Sequence, residues 1–146
     1  MGAGSRKLLA GALGGALGSV AMKAVVHFWD PDAFGLSSQT DARAARALLG
    51  DDLEQKFAER LGSSLHYAFG ILTGIAYAAA IGSYPALRTA RGVPFGAGLW
   101  LLGDELAVSL THLETASAAK AGSHVSALAA HLLYGAIVDA CYGKAT

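Results

Sequence analysis

The sequence predicts an all-α fold: an integral membrane four-helix bundle with an amphipathic helical loop between spans 1 and 2. The first observation behind this is composition, since 53 % of the 146 residues are hydrophobic and only 15 % are charged, against about 25 % charged in soluble domains. The second is that four stretches approach the roughly 20 apolar residues needed to cross a bilayer. The third is that these stretches are apolar all round, as lipid-facing helices are. We treat residues 1–146 as a single membrane domain.

The composition also excludes several classes of protein. Disordered chains are charged and poor in apolar residues, which this chain is not. A disulfide-stapled domain is excluded because Cys141 is the only cysteine. The 11 basic residues cancel the 11 acidic ones, so no net field attracts nucleic acid, and no nucleic-acid partner is expected. The sequence has no GxSxG, HExxH or P-loop motif, which favours a non-enzymatic protein, and we assign no catalytic residue.

The four spans are expected at about residues 8–29, 64–82, 93–113 and 124–142. Between the first two lies the surface helical loop, at about residues 37–62. Here Ser37 or Ser38 is expected to cap a helix that ends at Gly50, and Asp51 opens a second helix that ends near Gly62. An apolar residue recurs every four positions in this loop: Ala45, Leu49, Leu53, Phe57 and Leu61. The pair is expected on the membrane surface or over the bundle's mouth, with a solvated connector as the alternative.

The orientation is predicted from basic residues near the span ends. With four spans, one side carries Arg6, Lys7, Arg88, Arg91 and Lys144, and the other carries Arg43, Arg46, Lys56, Arg60 and Lys120. The totals tie, but the first group is closer to the spans and has no acidic neighbours in its loops. This favours a multi-pass protein with both termini in the cytoplasm.

Small residues recur at helical spacing in the first two spans. The residues expected to mediate helix packing are Gly11, Gly15, Gly18, Gly70 and Gly74. Glycines at this spacing allow two helix backbones to approach closely within lipid. We therefore expect the first two spans to pack against each other or against a second copy of the chain.

Ionisable residues inside a membrane are costly and usually face a cavity or a partner. The expected intramembrane polar cluster consists of His66, Asp104, Glu105, His112, His124 and His131. Three hypotheses could explain this cluster. It is a set of ion pairs or hydrogen bonds that stabilises the bundle, a site for protons or a small cation, or a haem or metal site. For the metal hypothesis the candidate ligands are His66, His131 and Glu105, although no helix carries a closely spaced histidine pair. No cofactor is predicted otherwise, and bound lipid is expected.

Three segments carry a family resemblance. They are His66-Tyr67-Ala68-Phe69-Gly70, then Phe95 to Trp100 with Asp104-Glu105, and His124 to His131 followed by Tyr134-Gly135. In these segments the sequence resembles the YagU-like inner-membrane proteins of bacteria, and the resemblance extends over all four spans. It implies an inner-membrane location and draws attention to His66, Asp104, Glu105 and His131. It transfers no catalytic residue.

The leading functional hypothesis is a small polytopic membrane protein that packs through glycine-rich helix faces. Its partners would be membrane lipid and either copies of itself or other integral membrane subunits, for which it would be an accessory chain. The first alternative is a proton- or cation-linked channel or transporter with Glu105 and His131 as the exchanging pair. The second is a haem or metal-binding membrane protein.

Overall fold

The computed structural model describes residues 2–81, 83–103 and 121–145, with no side-chain description for 32–37 and 121–123. The described chain is helical and contains no strand, which confirms the all-α prediction. Its helices are α1 (Ala3–Trp29), α2 (Pro31–Leu49), α3 (Gln55–Ala80), α4 (Val93–Trp100) and α5 (Ala121–Lys144), with a 3₁₀ segment at Pro85–Gly92 before α4.

Within the described ranges, two helices are long and apolar enough to cross a membrane by length and composition: Ala3–Trp29 and His124–Lys144. They contain the first and fourth predicted spans. The second predicted span falls in α3 up to Ala80. The third begins with α4, and its residues 104–113 lie outside the described residues. The four-span bundle therefore stays a prediction.

The loop between the first two spans differs from the expectation. Helix α2 begins at Pro31, directly after α1, and not at Ser37 or Ser38. Helix α3 then runs from Gln55 to Ala80 without ending near Gly62. Gly62 is instead a close contact, since a Cβ atom there would overlap the Asp41 backbone of α2. The glycine that the sequence predicts as a helix end thus brings α2 close to α3.

Helix α1 lies between α3 and α5 and packs closely against both, α4 packs on α5, and α2 packs mainly on α3. Gly11 meets Gly74 while Gly15 meets Gly70, so α1 and α3 are antiparallel. Gly14 meets Val138 while Gly18 meets Tyr134, so α5 is also antiparallel to α1. The buried cluster at their junction is built around three tyrosines, Tyr77, Tyr134 and Tyr142, with Met22, Ala78, Ile81, Ala130 and Val138.

Along most of their length, α1 and α3 bury mainly small residues and expose large apolar ones. The buried residues of α1 are Ala10, Gly11, Gly14, Gly15, Gly18, Ser19 and Met22. On the outer face of the same helix, Leu13 and Leu17 are 55 % and 56 % exposed. On α3, Phe69 and Leu72 are likewise exposed. Burial of apolar surface in water would favour the opposite arrangement.

Candidate functional site

A glycine seam joins α1 and α3 and is formed by Gly11, Gly15, Gly70 and Gly74. A Cβ atom at Gly15 would overlap the carbonyl oxygen of Gly70, and one at Gly11 would overlap that of Gly74. Ser19 extends the seam by one turn, because its hydroxyl donates to Gly15 O at 2.9 Å and occupies the space beside Gly70. The predicted packing glycines of the first two spans are therefore in contact within one chain.

Gly18 faces a different helix. A Cβ atom there would lie 2.6 Å from Cδ2 of Tyr134 on α5. The Tyr134 ring is buried, and its hydroxyl donates to Gly70 O at 2.5 Å and lies 2.8 Å from Oγ1 of Thr73. One side chain of α5 therefore joins both helices of the glycine seam, and the hydrogen bond satisfies a polar tip in an apolar interior.

Helix α4 also packs on α5 through glycines. A Cβ atom at Gly96 would overlap the His131 carbonyl oxygen, and one at Gly135 would overlap that of Gly92. Gly92 has φ +79°, a left-handed backbone that glycine adopts at little cost. This turn sets the direction in which α4 leaves the 3₁₀ segment and keeps that segment against the end of α5.

Four side chains form a polar group at this end, which we call the Asp139 cluster: Tyr77, Arg88, Asp139 and Tyr142. Asp139 is only 7 % exposed, and its Oδ1 accepts hydrogen bonds from Tyr77 Oη at 2.6 Å and from Arg88 Nε at 2.8 Å. The Arg88 guanidinium carbon lies 5.3 Å from the centroid of the Tyr142 ring, a cation–π distance. The hydrogen bond with Asp139 raises the pKa of Arg88 above its usual range. The cluster ties α3, the 3₁₀ segment and α5 together.

A second polar group lies toward the opposite end, which we call the Lys23 cluster: Lys23, Asp41, His66 and His131. Lys23 Nζ is 2.5 Å from Asp41 Oδ2, which pairs α1 with α2. Lys23, Asp41 and His131 are close enough to His66 to act on it electrostatically. Nε2 of His66 is shielded from water and has no hydrogen-bond partner within the described residues. This group combines an ion pair with two histidines from separate helices.

The structure brings only part of the predicted polar cluster together. His66 and His131 lie in the Lys23 cluster, and Nδ1 of His131 is 2.9 Å from Ala127 O. His124 is exposed near the start of α5. The other three predicted members, Asp104, Glu105 and His112, lie outside the described residues. Across the described ranges, no three His, Cys, Asp or Glu side chains are grouped closely enough to hold a metal ion.

Sequence reasoning missed both acid–base pairs. It assigned no role to Asp139 and only an orienting role to Arg88, although the two are 2.8 Å apart. The available signal was that Asp139 is the only acid near a loop holding two arginines. For Lys23, the signal was a cation within an apolar span that faces an amphipathic helix carrying Asp41.

The comparisons with known proteins give one match. The model of a family of unknown function, DUF6789, matches residues 5–146. No curated protein and no solved structure matches the chain. The match does not tie the chain by name to the YagU-like proteins.

Proposed function

The chain belongs to the family DUF6789, whose function is unknown, and we therefore propose a function from its own contacts. We propose that it is a non-enzymatic, multi-pass protein of the bacterial inner membrane, as the resemblance to YagU-like proteins also implies. Its role is to assemble, as a homo-oligomer or as an accessory subunit of a larger membrane complex. Its outer surface contacts lipid and partner subunits.

The observation that supports this proposal is that α1 has small residues on its inner face and large apolar residues on its outer face. Gly11 and Gly15 face α3, whereas Leu13 and Leu17 are more than half exposed on the same helix. In lipid, helices associate by close packing of small residues, because lipid tails solvate leucine as well as a protein interior does. Water would impose a large cost on the same exposed leucines.

The glycine seam also excludes two helix faces as sites of contact with a partner subunit. The α1 and α3 glycine faces contact each other, so a partner has to use another surface. Gly98 on α4 is a small residue, and within the described residues no atom of another element lies within 4 Å of an added Cβ. The exposed apolar side chains Leu101 and Leu102 follow it. We assign the partner contact to this side of α4.

The membrane proposal is tested by placing a charge on the outer face of α1. The change Leu13→Lys is expected to reduce recovery of the full chain in the membrane fraction, because a lysine inside a span is costly, up to about 2.5–3.5 kcal/mol at the centre. The matched control is Leu48→Lys on α2, a helix outside the predicted spans, where Leu48 is 69 % exposed. Recovery is measured by immunoblotting after an alkaline wash that removes peripheral proteins.

Either of two results would contradict the proposal. If Leu13→Lys and Leu48→Lys are both tolerated, the outer face of α1 lies in water. If the unaltered chain is released by the alkaline wash, it is not integral. The assembly part is tested separately by crosslinking in native membranes, where a chain recovered only as a monomer would contradict it.

A further inference from the structure

The two ends of the bundle differ in charge. The end at which α1 begins and α5 finishes carries five cations: Arg6, Lys7, Arg88, Arg91 and Lys144. The sequence segments that form this end, residues 2–10, 81–92 and 138–145, hold one acid, the buried Asp139. The other end carries many acids interspersed with its bases, on α2 and at the start of α3. Only the first end therefore presents a cationic surface.

Two of these cations are held around one aromatic ring. Lys7 Nζ lies 5.9 Å and Arg88 Cζ lies 5.3 Å from the centroid of Tyr142, which is only 5 % exposed. The ring is fixed by its neighbours, including Tyr77, which meets it edge to face at 6.1 Å. Lys7 and Arg88 thus both lie near this ring, Lys7 from α1 and Arg88 from the 3₁₀ segment.

Both cations keep donors that the described residues do not use. Arg88 is bonded through Nε to Asp139, and its Nη groups have no acceptor within the described residues. The side chain of Arg88 is 42 % exposed. Lys7 has no carboxylate within salt-bridge distance in the described ranges, where the ion pairs are Lys23–Asp41 and Arg88–Asp139. A guanidinium fork and an ammonium together suit the oxygens of a phosphate group.

We propose that Lys7 and Arg88 bind the phosphodiester of an anionic phospholipid, and this inference rests on the proposed membrane location. Exposed leucines favour a lipid over free phosphate as the source of that group. Leu8 and Leu9 follow Lys7 directly and are 41 % and 49 % exposed, and Leu13 continues the same apolar surface. A phospholipid whose phosphate lies at Lys7 would therefore have its acyl chains against these leucines of α1. Tyr142 supplies the amphipathic ring that is usual at this depth.

The test uses the full chain, purified in a neutral detergent, and native mass spectrometry with added lipid. Phosphatidylglycerol is the anionic probe, phosphatidylcholine is the zwitterionic probe, and inorganic phosphate is the free anion. We expect phosphatidylglycerol to be retained in preference to phosphatidylcholine and not to be displaced by inorganic phosphate. The change Lys7→Gln is expected to weaken phosphatidylglycerol binding about fivefold, the effect of one basic residue at an anionic membrane surface. Lys7→Arg is expected to retain binding.

The matched control is Lys56→Gln, an exposed lysine at the other end of the bundle, which removes the same charge. Equal loss of lipid with Lys56→Gln would overturn the proposal, because the effect would then follow net charge alone. Equal retention of phosphatidylcholine, or displacement by inorganic phosphate at matched concentration, would also overturn it. If the unaltered chain is absent from the membrane fraction before purification, it is the proposed function that fails.

Discussion

Asp139 accepts hydrogen bonds from two different elements through a single oxygen atom. Tyr77 comes from α3 and Arg88 from the 3₁₀ segment, at 2.6 Å and 2.8 Å. The carboxylate is buried, and a buried charge without partners is strongly destabilising. The contribution of Arg88 is reduced by its partial exposure, because water screens that side of the ion pair. The buried hydrogen bond with Tyr77 is therefore the more important of the two for stability.

We predict that Asp139→Ala lowers the free energy of unfolding by about 2–3 kcal/mol, because it leaves the Tyr77 hydroxyl with only the long 3.5 Å contact to Leu87 O and creates a small void. Asp139→Asn keeps the side-chain shape and a hydrogen-bond acceptor. Its free energy of unfolding is therefore expected to lie between those of the unaltered chain and Asp139→Ala. The measurement is unfolding of the full chain in detergent, followed by circular dichroism. Asp52→Ala, at an exposed position, serves as the control and should change stability by less than about 0.5 kcal/mol. A loss in Asp139→Ala no larger than in the control would disprove the assigned role.

The pairing of Arg88 with Asp139 could be predicted only in part. With four spans, Asp139 near the end of the last span falls on the same side as the loop that holds Arg88. Which arginine of the loop reaches it depends on the turn over Ala90, Arg91 and Gly92, whose φ values of +49°, +56° and +79° are all left-handed. Residue spacing does not determine the direction of such a turn, so Arg88 and Arg91 were indistinguishable at that level.

At the level of helices, the glycine seam determines how closely α1 and α3 approach. We predict that Gly15→Ala lowers the free energy of unfolding by about 1–3 kcal/mol, because the new methyl group meets backbone atoms of Gly70 and Ile71 that cannot rotate away. The control is Gly4→Ala in the same helix, where nothing lies within 4 Å of the added methyl. The measurement is the unfolding midpoint of each variant in the same detergent.

Gly4→Ala is expected to be neutral or slightly stabilising, since alanine favours the helix over glycine by up to about 1 kcal/mol. Stability unchanged by Gly15→Ala would show that α1 and α3 are free to separate without loss. A destabilised Gly4→Ala variant would show that the losses come from changes in helix propensity and not from contact across the seam.

Local sequence predicts the positions of the helices more directly than it predicts the junctions between them. The apolar stretches near residues 8–29 and 124–142 fall within α1 and α5, because a continuous apolar run is a local property. The junction of α2 and α3 differs because glycine has two uses, helix termination and close packing. Gly50 ends α2 with φ +113°, whereas Gly62 lies inside α3 against Asp41. Only the position of α2 in space distinguishes the two.

Across the whole molecule, the cationic end and the mixed-charge end define an orientation. Basic residues near span ends are retained in the cytoplasm, and acids count little. The sequence alone left the two groups of five basic residues tied. In the structure, Asp139 is the one acid at the cationic end and is buried, which leaves Arg6, Lys7, Arg91 and Lys144 without a salt bridge in the described ranges.

We therefore predict that Ser5 faces the cytoplasm and Asp52 faces the periplasm. The test introduces Ser5→Cys or Asp52→Cys into a Cys141→Ala background and labels intact cells with a membrane-impermeant maleimide. Both positions are exposed, so accessibility within the protein does not separate them. Asp52→Cys is expected to react in intact cells, and Ser5→Cys only after the membrane is opened. The reverse pattern would show that the bundle is inverted.

The bond between Arg88 and Asp139 has a consequence for the order of events during biosynthesis. Helix α5 is synthesised after every other described helix, and it supplies both Tyr134, which bridges the glycine seam, and Asp139. Until then Gly18 lacks the ring that packs on it, and Arg88 lacks its carboxylate. In a nascent chain that ends before α5, Arg88 therefore lacks Asp139 and the α1–α3 glycine seam lacks Tyr134. We expect these two missing contacts to distinguish an unfinished copy from a completed one.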